Sequence, residues 1–333
     1  MGGNLFFAGT GAVLETVGVE IDDALLFGWQ ACVERARRHL GWDRTSPGSP
    51  LAPAVVARRH ATGVSLALQA PIDQLFTATE LNEWALCATV FERDPVRWAS
   101  VAVDLLADYL QDANDPADVI PPVLEEHAAL ARLAVRAASE RRPDVVALIE
   151  AASAHDVGHL LDETTLTLGA GKGSRSWALD ALPGVDEVAW DSLRTIPIAA
   201  VTGSNGKTTT VRLVAACARA HGWCDGFNCT DGVFIGRKAG ASGDYSGPAG
   251  TRLVLRDTSV EAAVLETARG GILRRGLAAD RADVAVVTNI SPDHFGEYGI
   301  DDLDALADVK LSIAHLLDHE GLLVLNADDA LLR

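Results

Sequence analysis

The sequence predicts an α/β fold for its second half, a doubly wound parallel sheet, preceded by a mainly helical α+β region. Three observations predict it. Short apolar runs recur at 196–201, 262–265, 284–290 and 322–325, as buried parallel strands do. Helical patterns at 207–220 and 303–317 alternate with them, the order expected of βα units. The first run passes directly into Gly206-Lys207-Thr208 at the start of a helix.

The first half reads differently. Segments 22–40, 78–90, 98–110 and 124–139 carry apolar residues at helical spacing. Gly41 is placed to end the first helix. Thr77, with Glu80 three residues on, reads as an N-cap with a capping box. Val64 to Leu68 reads as a strand. Beyond Pro143, a helix at 145–154 and a strand at 164–168 lead into Gly169-Ala170-Gly171-Lys172-Gly173. That turn reads as a connector, with a phosphate loop as the alternative, and its glycine spacing does not fit a dinucleotide fingerprint. Segment 181–195, with Pro183, Gly184 and several acids, reads as a linker. The expected domains are therefore 1–190, of unassigned role, and 191–333.

Composition excludes several classes. The chain has 333 residues, 48% hydrophobic and 22% charged, an ordinary globular balance. Forty-six acids against 28 Lys and Arg give a net charge of −18, which disfavours a nucleic-acid partner. No apolar run approaches a membrane span, so no membrane association is expected. The opening Met-Gly-Gly-Asn-Leu-Phe lacks a basic leader, and Phe6 stands where myristoylation needs Ser or Thr. Five scattered cysteines suit a reduced compartment, and a cytoplasmic location is expected. His221, Cys224 and Cys229 are one ligand short of a closed zinc site.

The chemistry concentrates in Thr202-Gly203-Ser204-Asn205-Gly206-Lys207-Thr208-Thr209. Backbone N–H groups at such a strand-to-helix turn suit a phosphate, Lys207 can reach the outer phosphates, and the Thr208 hydroxyl can ligate Mg²⁺. The first glycine of the general phosphate-loop pattern would fall at Val201, and here it stands at Gly203. Glu266 ends the run at 262–265, and Asn289 ends the run at 284–290, with Asp293 and His294 just beyond. Ligands bind beyond the carboxyl ends of such strands, so these residues are expected to crowd the loop. A carboxylate and an imidazole beside a polyphosphate suit cation binding. Arg269, Arg274 and Arg275 cluster with three glycines, as either an anion pocket for a carboxylate or phosphate or a salt-bridged loop. Lys310, on the helix beyond His294, reads on its own as a surface lysine.

These residues resemble the Mur ligases and, within them, the cyanophycin synthetases. The phosphate loop is similar to that family's Thr-Gly-Thr-Asn-Gly-Lys-Thr-Thr, which accounts for the shifted Gly203. Thr230-Asp231-Gly232, the stretch 264–277, Val287-Thr288-Asn289-Ile290 with Asp293-His294, and Val324 to Asp329 are similar to cyanophycin-synthetase motifs. The resemblance covers about residues 196–333 and implies a Mur ligase central ATP-binding domain. It implies that Lys207 holds the γ-phosphate, that Thr208 and Glu266 hold one Mg²⁺, that His294 holds a second cation, and that Asn289 contacts the nucleotide. Gly203, Ser204, Asn205, Gly206 and Thr209 complete the ATP-binding loop. Lys310 matches a family lysine that is often carbamylated. The implied reaction is ATP-dependent amide-bond formation between a carboxylate and an amine, through an acyl phosphate.

Two departures from the family pattern bear on this expectation. No stretch resembles the ATP-grasp domain of a cyanophycin synthetase. The sequence also reaches Arg333 without the family's C-terminal lid, so the expectation is a partial chain, a homo-oligomer or a partner that supplies the lid. A non-catalytic ATP-binding module or regulatory subunit is the alternative reading. A folate-type or cell-wall substrate is a further one, against which the 269–277 stretch argues. Trp29, Trp42, Trp84 and Trp98 are expected in the core.

Overall fold

The computed structural model describes residues 2–17, 21–42, 55–97, 99, 125–292 and 295–333. The predicted helix at 98–110, Trp98, Asp293 and His294 lie outside the described residues, Ala99 apart. The chain forms two compact units, one of residues 10–142 and one of 1–9 with 143–333.

The 10–142 unit is α+β. Strands β1 (Gly11–Val17), β2 (Val55–His60) and β3 (Gly63–Gln69) form an antiparallel sheet in the order β1-β3-β2. Helices α1 (Asp23–Leu40), α2 (Leu75–Arg93) and α3 (Glu126–Glu140) pack with it. Asp22 caps α1 by accepting from Leu25 N at 2.9 Å, and Gly41 ends it at φ 74°. The expected cap at Thr77 is corrected. Helix α2 begins at Leu75, with Gln74 at its N-cap and no capping side chain of its own. The Glu140 carboxylate does that work from the end of α3, accepting from Phe76 N and Thr77 N, both at 2.8 Å, and from Thr77 Oγ1 at 2.7 Å. Trp29, Trp42 and Trp84 are core residues. Trp29 Nε1 donates to Asn82 Oδ1, and Trp42 Nε1 to Gln74 Oε1, each at 2.9 Å, so both buried indoles are satisfied.

In the second unit, helix α4 (Pro143–Ala154) leads into a small antiparallel sheet of β4 (His159–Leu161), β5 (Thr165–Leu168) and β6 (Arg175–Ala178). The second of the two compact units resumes at Pro143. Segment 181–195 is no free linker, since Val188 and Leu193 are buried with Leu148, Leu166 and Leu168. The glycine turn before β6 is a connector, and Lys172 N donates to Val260 O at 2.7 Å. A Cβ on Gly169 or Gly173 would strike backbone oxygens at 2.2 or 2.3 Å, so close packing rather than phosphate binding accounts for those glycines.

The main sheet runs β10-β9-β8-β11-β7-β12-β13. Its parallel core comprises β7 (Ile198–Thr202), β8 (Asp225–Cys229), β11 (Ala262–Glu266), β12 (Val284–Val287) and β13 (Leu322–Leu325). Strands β9 (Gly232–Ile235) and β10 (Lys238–Ser242) extend one edge antiparallel. All five residues of β11 are buried, as expected of a strand covered on both faces. Helices α5 (Lys207–His221), α6 (Pro248–Arg256), α7 (Arg269–Arg275) and α8 (Leu303–Leu311) connect the strands. The helix expected to reach residue 317 stops at Leu311 and tightens into a 3₁₀ turn, Ser312–Leu316. Strand β7 is first among the parallel strands in chain order and lies at their centre, flanked by β11 and β12. The connections diverge there, at the topological switch point where ligands of open α/β sheets bind.

Candidate active site

The loop 203–206 leaves β7 at this switch point and opens α5. Gly203 has φ 142°, and a Cβ there would lie 1.9 Å from Thr288 Oγ1. Glycine is required at this position on both counts. Gly206, at φ 80°, takes the N-cap of α5.

The strand β12 exit holds the loop in shape. Ser204 N donates to Asn289 O at 2.9 Å, and Asn205 N to Asn289 Oδ1 at 3.0 Å. Thr288 Oγ1 donates to Asn205 O at 2.6 Å. Ser204 Oγ donates to Ser291 O at 2.9 Å and accepts from Ser291 N at 3.0 Å. Asn289 therefore shapes the loop here through its own amide and carbonyl. Ser291 was not singled out by the sequence, and no local pattern marks it. Ile290 N donates to Asp329 Oδ2 at 2.6 Å, fixing the strand exit from the far side.

Lys207 Nζ donates to Gly203 O at 3.0 Å and Ser204 O at 3.1 Å, so its ammonium lies inside the curl of the loop. Thr208 Oγ1 donates to Glu266 Oε2 at 2.8 Å and lies 3.3 Å from Thr230 Oγ1. Thr209 is exposed one residue further on. Glu266 is fully buried, and its Oε1 has no hydrogen-bond partner. Burial raises the Glu266 carboxyl above the usual carboxylate range. The Thr208 hydrogen bond and the Lys207 charge pull the other way, while Asp244 and Asp231 add to the rise. An orphaned buried carboxylate oxygen beside a hydroxyl is a hard-oxygen donor set, and a divalent cation such as Mg²⁺ fits it.

The three arginines part company. Their segment is the helix α7, not a loop. Arg269 is buried and pairs with Glu297, Nη2 to Oε2 at 2.8 Å. Arg274 is exposed, donates from Nε to Tyr298 Oη at 2.6 Å and lies over that ring. Arg275 is exposed. Tyr298 is held at φ 54°. Lys310 is corrected from a surface lysine to a buried one, 1% exposed on α8. Thus Gly203, Ser204, Asn205, Gly206, Lys207, Thr208, Asn289 and Glu266 converge, while Arg274 turns to Tyr298.

The fold and this strand-exit constellation define a doubly wound α/β domain with a glycine-bearing loop at its switch point. Residues 201–333 match the model of the Mur ligase middle domain. It is 52% identical over 136 residues to the cyanophycin synthetase of Synechocystis sp., covering 41% of this chain and 16% of that protein. It is 35% identical over 136 residues to the UDP-N-acetylmuramoylalanine--D-glutamate ligase of Chlorobium luteolum, covering 41% of this chain and 26% of that one. A solved UDP-N-acetylmuramoyl-L-alanyl-D-glutamate--2,6-diaminopimelate ligase is 28% identical over 40% of this chain and 27% of its own, with a TM-score of 0.33. The match thus spans about a sixth to a quarter of the length of these curated relatives.

Proposed function

We propose that this chain carries the ATP-binding part of an acid–amino-acid ligase, of cyanophycin-synthetase type, that joins a carboxylate to an amine through an acyl phosphate. The observation that carries the reading is the meeting of Thr208 with the orphaned Glu266 carboxylate beside Lys207. The match of residues 201–333 to the Mur ligase middle domain supports it.

The residues act as follows. The backbone N–H groups of Gly206, Lys207 and Thr208 at the start of α5, with the Lys207 ammonium, bind the triphosphate and offset its charge where a substrate carboxylate must approach. The carboxylate oxygen attacks the γ-phosphorus, the bond to the β-phosphate oxygen breaks, and ADP leaves. The amine then adds to the acyl carbon, loses a proton, and expels phosphate. Thr208 and Glu266 are the residues that would hold Mg²⁺, which when bound would screen the phosphate oxygens. The buried Glu266 remains anionic most readily with a cation beside it. Thr288, Asn289 and Ser291 keep the loop in its binding shape, so positioning does most of the catalytic work. We assign Lys310 and His294 to the same site by resemblance, His294 as a second cation ligand and Lys310 as the lysine to be carbamylated.

The test replaces the amine with hydroxylamine. ATP, a panel of carboxylic acids and hydroxylamine should give hydroxamate and ADP in equal amounts with the protein. ADP without hydroxamate for every acid would contradict the acyl phosphate.

A further inference from the structure

Arg269 is only 7% exposed, and its Nη1 has no hydrogen-bond partner and is shut from solvent. An unmet buried guanidinium donor is costly, so Arg269 Nη1 calls for a partner that completes it, a ligand or an ordered water. The other end of the fork is fixed, because Nη2 donates to Glu297 Oε2 at 2.8 Å. The place of this pair is telling. Arg269 follows the exit of β11, and Glu297 lies beyond the exit of β12, the two strands flanking β7. The pair therefore joins the two chain segments that leave the sheet on either side of the loop strand.

The turn that carries Glu297 is held firmly. Gly296 N donates to Ile300 O at 3.1 Å, Ile300 N to Glu297 O at 3.2 Å, and Ile300 is fully buried. Tyr298 sits in the left-handed region within it, a conformation a bulky residue keeps only when its surroundings impose it. Arg274 Nε donates to that tyrosine's hydroxyl at 2.6 Å, so both ends of α7 are tied to one turn.

We propose that Arg269 is an oxyanion-binding residue of this site, and that Glu297 is the positioning residue that aims it. The inference rests on the ligase reading above and separates Arg269 from Arg274 and Arg275. A guanidinium fork accepts nothing and donates in parallel pairs. With Nη2 engaged by Glu297, the unpartnered Nη1 is the nitrogen left to donate to an anionic oxygen. That oxygen belongs either to a terminal phosphoryl group or to a substrate carboxylate.

Calorimetric titration of the 333-residue chain separates these sources. The probes are MgADP, the MgATP analogue MgAMPPNP, and succinate added to the MgADP-saturated chain. Arg269→Lys should weaken MgAMPPNP or succinate roughly ten- to hundredfold, the worth of one charged hydrogen bond, while MgADP changes less than about twofold. Loss confined to MgAMPPNP assigns the oxygen to the phosphoryl group, and loss confined to succinate assigns it to the carboxylate. Glu297→Gln, at a half-exposed position, keeps the proposal open to test if Arg269→Lys does not fold. It should weaken the same probe by a smaller factor with an unchanged melting temperature. Unchanged affinity for both probes in a folded variant would overturn the proposal and leave Arg269–Glu297 a structural pair. A wild-type chain that binds no MgADP would overturn the ligase reading, and this inference with it.

Discussion

The Thr208 hydroxyl donates to the Glu266 carboxylate at 2.8 Å, joining the first turn of α5 to the last residue of β11. Two residues 58 positions apart meet because β11 lies directly beside β7, with Glu266 opposite Val201. Replacing Thr208 with Val removes the hydroxyl and leaves both Glu266 oxygens without a side-chain donor. Denaturant unfolding at pH 7 should show a loss of about 1–3 kcal/mol, the cost of an unmet buried acceptor. Calorimetry should show weaker magnesium-dependent nucleotide binding.

Gly203→Ala tests the loop itself. The new methyl group would overlap Thr288 Oγ1, 1.9 Å from its ideal position, at a φ of 142° that alanine avoids. The variant should lose nucleotide binding and melt at a lower temperature, by more than the ~1 kcal/mol typical of a point change. Wild-type affinity in a folded Gly203→Ala chain would show that the loop tolerates another path.

Glu140→Ala tests the 10–142 unit. Three donors at the start of α2 would lose their acceptor: Phe76 N, Thr77 N and Thr77 Oγ1. A helix cap is worth ~1 kcal/mol and a charged acceptor somewhat more, so urea unfolding should show a loss of about 1–2 kcal/mol. Nucleotide binding should be unchanged.

Asp162 gives a pH prediction. Burial raises its carboxyl, but hydrogen bonds from Thr164 N, the Arg256 guanidinium and Thr165 N, with the Arg256 charge, outweigh it and hold it below the usual carboxylate range. A carboxyl depressed on folding stabilises the native state above its unfolded value of 3.8, and that contribution is lost as pH falls through the lower native value. Asp162→Asn should therefore be less stable than wild type at pH 7, with the gap closing below about pH 4. A gap that stays constant down to pH 2 would contradict the assignment.

The sequence made the site legible where its chemistry is local. Gly203 to Thr209 declare themselves because one strand, one turn and one helix start are contiguous. Glu266 and Asn289 could be placed because strands of a parallel sheet end on a common edge. Strand β8 was missed because Asp225 and Asn228 interrupt its apolar run. Both are fully buried, yet Arg219 donates to Asp225 at 2.8 and 2.6 Å, and Asn228 Nδ2 donates to Glu266 O at 2.9 Å. The cap of α2 was misplaced because Glu140 reaches it from 63 residues away. The arginine-rich segment looked like a loop because two glycines open it, whereas buried Ile272 anchors it as α7. Its three arginines looked alike, and only Glu297 and Tyr298, distant in sequence, separate them. In each case, the missing information lies in a partner that no window of sequence contains.

The central claim is that Lys207 and its loop bind ATP for phosphoryl transfer to a carboxylate. The most direct measurement is ADP release from MgATP in the presence of a carboxylate and an amine, comparing wild type with Lys207→Ala. Release that requires both substrates in wild type and is absent from a folded Lys207→Ala variant is the predicted result. Equal, substrate-dependent ADP release from both proteins would contradict it.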